Sequence, residues 1–199
     1  MGTTDTTGPR GASGTMRDVT TPGTRTGAIA RPGEGEYAPF YEGYVALVPE
    51  ADILAVLERQ AGEIRELVAS VPAERETHRY GEGKWSVREV LGHLVDGERV
   101  FGYRAFCISR GEKAALPSFD ENEYVAEAGS DAIPARELAG ELSLVRESNL
   151  AFLRRLQPRE WERMGTASGK PISVRALAWI MAGHPRHHVR ILAERYGVR

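Results

Sequence analysis

The sequence predicts an all-α fold, a four-helix bundle preceded by a disordered N-terminal leader. Beyond residue 36, apolar residues recur at helical spacing in four segments, each of about 20 residues, and strand-like alternation is almost absent. These segments begin at capping residues and end near glycine or proline. Four such helices in a chain of 199 residues make one domain of the bundle type.

Residues 1–36 differ in composition from the rest of the chain. They contain nine threonines and eight glycines and no aromatic residue. Such a segment has too little apolar surface to compensate the entropy that is lost on ordering. We therefore expect a disordered leader over residues 1–36 and the bundle over residues 37–199.

The first two predicted helices rest on apolar spacing and on a capping signal. After Pro49, apolar residues recur at helical spacing until Val71–Pro72, where the first helix ends. The second helix begins at Ser86, because Ser86–Glu89 reads as a capping box. It runs to about Arg110, where Gly111 stops it.

The last two predicted helices are separated from the first two by a long connection. The third runs from about Pro134 to Leu156, and the fourth from Ser173 to about Tyr196. Residues 111–132 form the linker before the third helix, and we interpret it as a surface crossover with a short helical turn or as a functional loop. In an up-down-up-down bundle the second and fourth helices run parallel, and we expect that arrangement here.

Composition limits the classes of partner. With 26 basic and 28 acidic side chains, the chain lacks the basic footprint of a nucleic-acid binder. Its single cysteine, Cys107, excludes a disulfide framework and a multi-cysteine zinc site. The sequence has neither a bilayer-spanning apolar run nor a signal peptide. We expect a cytoplasmic protein with a small-molecule substrate and no nucleic-acid or membrane partner, and a homodimer is one open alternative.

Five histidines occur in the chain, and two of them point to a metal site. His184 and His188 are four residues apart, so they share one face of the fourth helix. That face also carries apolar residues, whereas His187 lies at its edge. Imidazoles on a core-facing stripe need partners for their ring nitrogens.

A divalent metal is the economical partner for these imidazoles. Neutral imidazole is the commonest protein ligand for zinc, the first choice, and nickel, iron or manganese stay open. His93, in the middle of the second helix, is the obvious third ligand. The alternative is a pair of core histidines bonded to carbonyls or carboxylates.

Three carboxylates on the second helix are candidates for supporting roles. Glu89 lies one turn before His93 and is explained equally well by the capping box. Asp96 lies near His93 on the helical wheel, with a solvated surface acid as its alternative. Glu98 lies inside the apolar arc, so we expect it to be paired, titrated or next to a cavity. Cys107 reads as a packing residue.

Two motifs carry a resemblance to a known family. The segment Trp85–Leu94, WSVREVLGHL, and the segment Ala182–His188, AGHPRHH, resemble the two histidine motifs of the DinB-like family, which includes metal-dependent hydrolases of the YfiT type. Residues 36–49 are similar to the family's entry into its first helix. The resemblance implies a four-helix bundle that binds one divalent metal through His93, His184 and His188.

The resemblance also implies a range of reactions. Relatives include bacillithiol S-transferases and mycothiol-dependent isomerases, in which the metal activates a low-molecular-weight thiol. The alternatives are a metal-dependent hydrolase that uses metal-bound hydroxide and a non-catalytic, stress-related metal-binding bundle. Pro185 departs from the family pattern, because it removes one backbone donor between His184 and His188 and predicts a kink there.

Overall fold

The computed structural model describes residues 1–2 and 29–198, and four long helices dominate it. No helix in these ranges is long and apolar enough to cross a bilayer. Turns of 3₁₀ helix lie at Pro39–Tyr41, Ala73–Arg75 and Ser130–Ala132. In chain order the other elements are α1 (Glu42–Ala46), α2 (Ile53–Ala69), α3 (Val87–Ser109), α4 (Glu121–Ala128), α5 (Ala135–Leu153), α6 (Pro158–Trp161), β1 (Met164–Ala167), β2 (Lys170–Ser173) and α7 (Val174–Tyr196).

The predicted capping signals set the helix ends. Ser86 and Glu89 form both hydrogen bonds of the capping box at the start of α3. The Ser173 side chain accepts a hydrogen bond from the Ala176 N–H at the start of α7, and Gly197 ends that helix in the left-handed region, at φ 68°. The first and third predicted helices are shorter in the structure, because Asp52 caps α2, which spans Ile53–Ala69, and α5 ends at Leu153.

Helix α7 runs antiparallel to α3. The Tyr196 hydroxyl, at the end of α7, donates a hydrogen bond of 2.6 Å to the carbonyl of Trp85, just before α3. One turn apart on α7, His188 contacts Trp85 while His184 contacts Phe101, which lies further along α3. The predicted parallel arrangement of the second and fourth helices is therefore wrong.

Helix α5, by contrast, runs parallel to α3. Arg88, near the start of α3, bonds the carbonyl of Asp131, just before α5. Further along both helices, Arg146 pairs with Glu98. The linker explains this direction, because its residues carry the chain back to the end of the bundle where α3 begins. The order is therefore up-down-down-up, with α2 parallel to α7.

The linker and a small hairpin close the far end of the bundle. The linker contains α4 and one 3₁₀ turn, in agreement with a crossover that carries a short helical turn. The Leu116 N–H bonds the carbonyl of Thr166 in β1. Strands β1 and β2 pair antiparallel around Ser168 and Gly169, both at positive φ. Four-residue strands that include glycine and proline show too little alternation to be predicted from the sequence.

Two apolar clusters fill the two ends of the bundle, and buried polar side chains lie between them. The first cluster joins the start of α2 to the ends of α3 and α5, and the second joins the end of α2 to their starts. The polar layer lies at mid-bundle. Its buried members include Gln60, His93, Glu98, Arg146, His184 and His188.

Most of the expected leader, residues 3–28, lies outside the described residues. Residues 29–36 contact the bundle through Ile29, which packs on the first apolar cluster, and through two charged side chains. Arg31 donates to the carbonyl of Val45 at 2.7 Å. Glu36 accepts hydrogen bonds of 2.7 and 2.5 Å from Arg175. The boundary predicted at residue 36 therefore falls inside a segment that packs on the bundle through one ion pair, the hydrogen bonds of Arg31 to backbone carbonyls and the side chain of Ile29.

We expect Glu36→Gln to destabilise the fold at neutral pH by about 1 kcal/mol, a shift in melting temperature of about 2–4 °C. Burial alone would raise the pKa of Glu36, but hydrogen bonds from Arg175 and from the Gly33 N–H outweigh it and lower the pKa to about 2. A carboxylate with a lowered folded-state pKa stabilises the protein fully above its unfolded value, 4.5.

The difference in melting temperature between Glu36→Gln and the unmodified chain should therefore decrease as the pH falls from about 4.5 to about 2. Thermal unfolding over this pH range measures it, with Glu34→Gln as the control at an exposed glutamate. A constant difference across the range would contradict the role assigned to this ion pair.

Candidate metal centre

The antiparallel packing of α3 and α7 brings three histidines together. His93 comes from α3, His184 and His188 come from α7, and all three are buried. One ring nitrogen of each lies within 4.8 Å of the other two. The Nε2 atoms of His93 and His184 are 2.8 Å apart. The structure therefore assembles the three residues that the sequence singled out.

Glycine allows this close approach. A Cβ atom at Gly97 would lie 2.7 Å from Cε1 of His184, so only glycine leaves room for that ring against α3. A Cβ atom at Gly183 would lie 2.0 Å from the carbonyl oxygen of Tyr44, so the backbone of α1 rests directly on α7. The histidine cluster is thus closed on one side by α1.

Burial keeps the three imidazoles neutral. Desolvation, with a smaller contribution from the charge of His187, lowers the pKa of His93 to about 4. Burial followed by the charges of His93 and His187 lowers the pKa of His188 to about 3. Burial also holds the pKa of His184 well below its usual range. At neutral pH each ring therefore has a lone pair to offer a metal.

The donor set fits a divalent metal. In a tetrahedral zinc site with bonds of about 2.0–2.1 Å to nitrogen, the ligand nitrogens lie about 3.3 Å apart. The Nε2 atoms of His93 and His184, 2.8 Å apart at hydrogen-bond distance, would separate by about 0.5 Å to reach that value. Three protein ligands leave a coordination position for water or substrate, as in catalytic rather than structural sites. His187, half-buried beside Tyr44 and His188, lies outside the group.

Aromatic rings frame the three histidines. Trp85 stacks on His188 with ring centroids 6.3 Å apart and lies 4.8 Å from His93. Tyr44 and Phe101 meet the ring of His184 edge-on, at 5.5 and 5.6 Å. These rings keep water away from the ligand nitrogens, which strengthens electrostatic interactions inside the site.

Glu98 lies beside the site in a buried ion pair, one of the outcomes expected for it. Arg146 donates to its two carboxylate oxygens at 2.8 and 2.7 Å, and both side chains are 2% exposed. Asn149 donates to the same carboxylate at 2.9 Å. No role was predicted for Arg146 from the sequence. Its position, four residues after Leu142 and four before Leu150, places it on the apolar face of α5 and could have indicated one.

Arg146 also replaces the hydrogen bond that Pro185 removes. Because Pro185 has no N–H, the carbonyl of Met181 loses its helical partner. Arg146 Nη2 donates to that carbonyl at 3.0 Å. Gln60 donates to the carbonyl of Ala182 at 2.7 Å. Helix α7 therefore continues through Pro185, and His184 is held by a network that reaches α2, α3 and α5.

The other two acidic candidates, Glu89 and Asp96, do not belong to the histidine group. Glu89 accepts from the Ser86 N–H at 2.8 Å and pairs with Arg79 at 2.7 Å, so its carboxylate is engaged in the cap. Asp96 is half-buried, and burial raises its pKa against the opposing charge of Arg99. Cys107 packs partly buried against the core.

The family of the chain follows from the region that carries these motifs. The family model of the DinB superfamily matches residues 56–192, more than half of the chain. The chain belongs to the DinB superfamily. This DinB chain has no match among curated proteins.

Solved structures share the fold of this DinB chain. YfiT from Bacillus subtilis, described as a probable metal-dependent hydrolase with an unusual four-helix bundle topology, is 21% identical with a TM-score of 0.68. The match covers 83% of this chain and 97% of YfiT. A mycothiol-dependent maleylpyruvate isomerase is 13% identical with a TM-score of 0.59, over 73% of this chain and 61% of the isomerase.

We expect Gly97→Ala to weaken metal binding by about tenfold, because the added methyl group displaces the ring of His184. The matched control is Gly140→Ala in α5, where a Cβ atom meets nothing within 4 Å. That control should keep the affinity and gain about 0.5–1 kcal/mol of stability from helix propensity. Competition with a chromophoric chelator measures affinity, and unaltered binding in Gly97→Ala would contradict the placement of His184.

Proposed function

We propose that this DinB chain is a metal-dependent enzyme that binds one divalent ion through His93, His184 and His188 and activates a low-molecular-weight thiol for S-transfer or isomerisation. The observation that carries the proposal is the convergence of three buried, neutral imidazoles at mid-bundle. Zinc is the first choice of metal, and nickel, iron and manganese are the alternatives.

A divalent ion in such a site lowers the pKa of a thiol or a water molecule that shares it, and so supplies a nucleophile near neutral pH. The residues of this chain provide its surroundings. His93, His184 and His188 offer ring nitrogens, and Trp85 and Tyr44 limit the access of water. The substrate in this proposal is a small molecule.

Arg146 and Glu98 are positioning residues in this proposal. Arg146 pairs with Glu98 of α3 and donates to the carbonyl of Met181, which lies one turn before His184 on α7. Neither side chain reaches the ligand nitrogens in its present arrangement, because both are committed to each other. Their contribution is to fix the register of α7 against α3.

Hydrolysis is the second candidate reaction, and one comparison favours it. YfiT, described as a probable metal-dependent hydrolase, matches over 97% of its length, whereas the mycothiol-dependent isomerase matches over 61% of its own. The same three imidazoles serve both reactions, so the choice depends on whether a thiol or water supplies the nucleophile. Cytoplasmic location and a homodimer stay predictions from the sequence.

We expect purified protein to hold about one divalent ion per chain, and replacement of any of the three histidines with alanine to remove most of it. His187→Ala is the control, because His187 neighbours the cluster without belonging to it. Elemental analysis of the dialysed proteins measures the content. Equal metal in the unmodified chain and in His188→Ala would refute the ligand set.

The thiol reaction predicts a spectroscopic signal. Cobalt(II) should replace the native ion, and N-acetylcysteine added to the cobalt protein should produce a thiolate-to-metal charge-transfer band. N-acetylserine, which has a hydroxyl in place of the thiol, is the matched control and should produce none. A cobalt protein that hydrolyses esters and shows no band with thiols would favour the hydrolase instead.

A further inference from the structure

A second cleft lies between α3 and the linker, apart from the three histidines. Its volume is about 300 Å³, at the lower end of the range for small-molecule sites. Four of the lining residues come from α3 and five from the linker, and six of them are polar or aromatic. These six are Arg99, Tyr103, Arg104, Ser118, Phe119 and Tyr124.

Arg104 is the unusual member of this lining. Its side chain is only 2% exposed, although it carries a full charge. Its Nη2 atom donates to the carbonyl of Pro117 at 2.7 Å and to the Ser168 hydroxyl at 3.0 Å. Its Nη1 atom is buried and has no hydrogen-bond partner in residues 29–198. No carboxylate of those residues forms an ion pair with it. A buried cation without a counter-charge is costly.

Arg146, unlike Arg104, has a carboxylate as its partner. Both guanidinium groups are buried in the same bundle, but Arg146 faces the carboxylate of Glu98 at 2.7 Å. Arg99, the other arginine of the cleft, is half-exposed and already paired with Glu141. The cleft therefore contains one uncompensated positive charge, that of Arg104.

We propose that this cleft binds a small monocarboxylate with a planar, apolar body, whose carboxylate pairs with Arg104. Phe119 lies 5.7 Å from the guanidinium, and Tyr124 lies 5.3 Å from Phe119, so aromatic faces stand next to the charge. These rings suit an aromatic or unsaturated acid. One free positive charge matches a carboxylate better than the two charges of a phosphate monoester.

The cleft lies on the same face of α3 as the metal ligand. Val100 and Arg104 lie within about 20° of His93 on the helical wheel, at about 10 and 16 Å along the axis. At the other wall, α4 carries Tyr124 in the cleft and Glu121, whose charge acts on Tyr44 beside His184. The site is thus a neighbour of the histidine cluster, and its binding of an acid does not rest on the proposed reaction.

Benzoate is the probe for this site, with uncharged benzamide as its matched control. Isothermal titration calorimetry of the whole chain at low ionic strength should show saturable binding of benzoate and at least tenfold weaker binding of benzamide. Equal binding of the two, or no saturable binding of benzoate at millimolar concentrations, overturns the proposal. Phenyl phosphate binding more tightly than benzoate would overturn the assignment of a monoanion.

Variants locate the binding. Arg104→Gln should weaken benzoate binding by about 10- to 100-fold, while His188→Ala should leave it unaltered. If Arg104→Gln does not fold, Ser118→Glu decides, because Ser118 is exposed and a carboxylate there repels the probe. Ser118→Gln, of the same size, is its control. Equal affinity in Ser118→Glu and Ser118→Gln, or loss of binding in His188→Ala, contradicts the site.

Discussion

The ion pair between Arg146 and Glu98 ties four helices together at mid-bundle. From α5, Arg146 reaches the carboxylate of α3, the carbonyl of Leu57 in α2 and the carbonyl of Met181 in α7. Removing both charges from water is costly and is offset only when every donor and acceptor is satisfied. That condition is met in one register of the four helices, so the pair specifies how they align. The histidine cluster depends on that alignment.

Pro185 shows how the ligand helix is bound to this network. A proline inside a helix leaves one carbonyl without its partner, and in α7 that carbonyl points to Arg146. The helix therefore exchanges a local hydrogen bond for one from another helix. The exchange makes the orientation of His184 a property of the whole bundle rather than of α7 alone. The buried guanidinium of Arg146 thereby positions α7, in addition to pairing with Glu98.

Local signals in the sequence predicted the helices and the histidine site. Helix direction and the packing of residues 29–36 depend on contacts between residues distant in sequence. Ser86 and Ser173 predicted two helix starts because a cap is a local hydrogen bond. The spacing of His184 and His188 likewise needs only one helical turn. Helix direction depends on the route of the linker, which no spacing encodes. The contact of Glu36 with Arg175 spans 139 positions, so its residues read as ordinary surface charges.

The antiparallel pairing of α3 with the C-terminal helix also sets the order in which this protein can be assembled during synthesis. His93 and His184 are 91 positions apart, and α7 packs against both α2 and α3. During synthesis, α2, α3 and α5 therefore leave the ribosome before α7, the helix that closes the core. Until then the apolar faces of α2, α3 and α5 are exposed to solvent. Chains of this size tend to aggregate with one another in that state. The core of the bundle is complete only once α7 packs against α2 and α3.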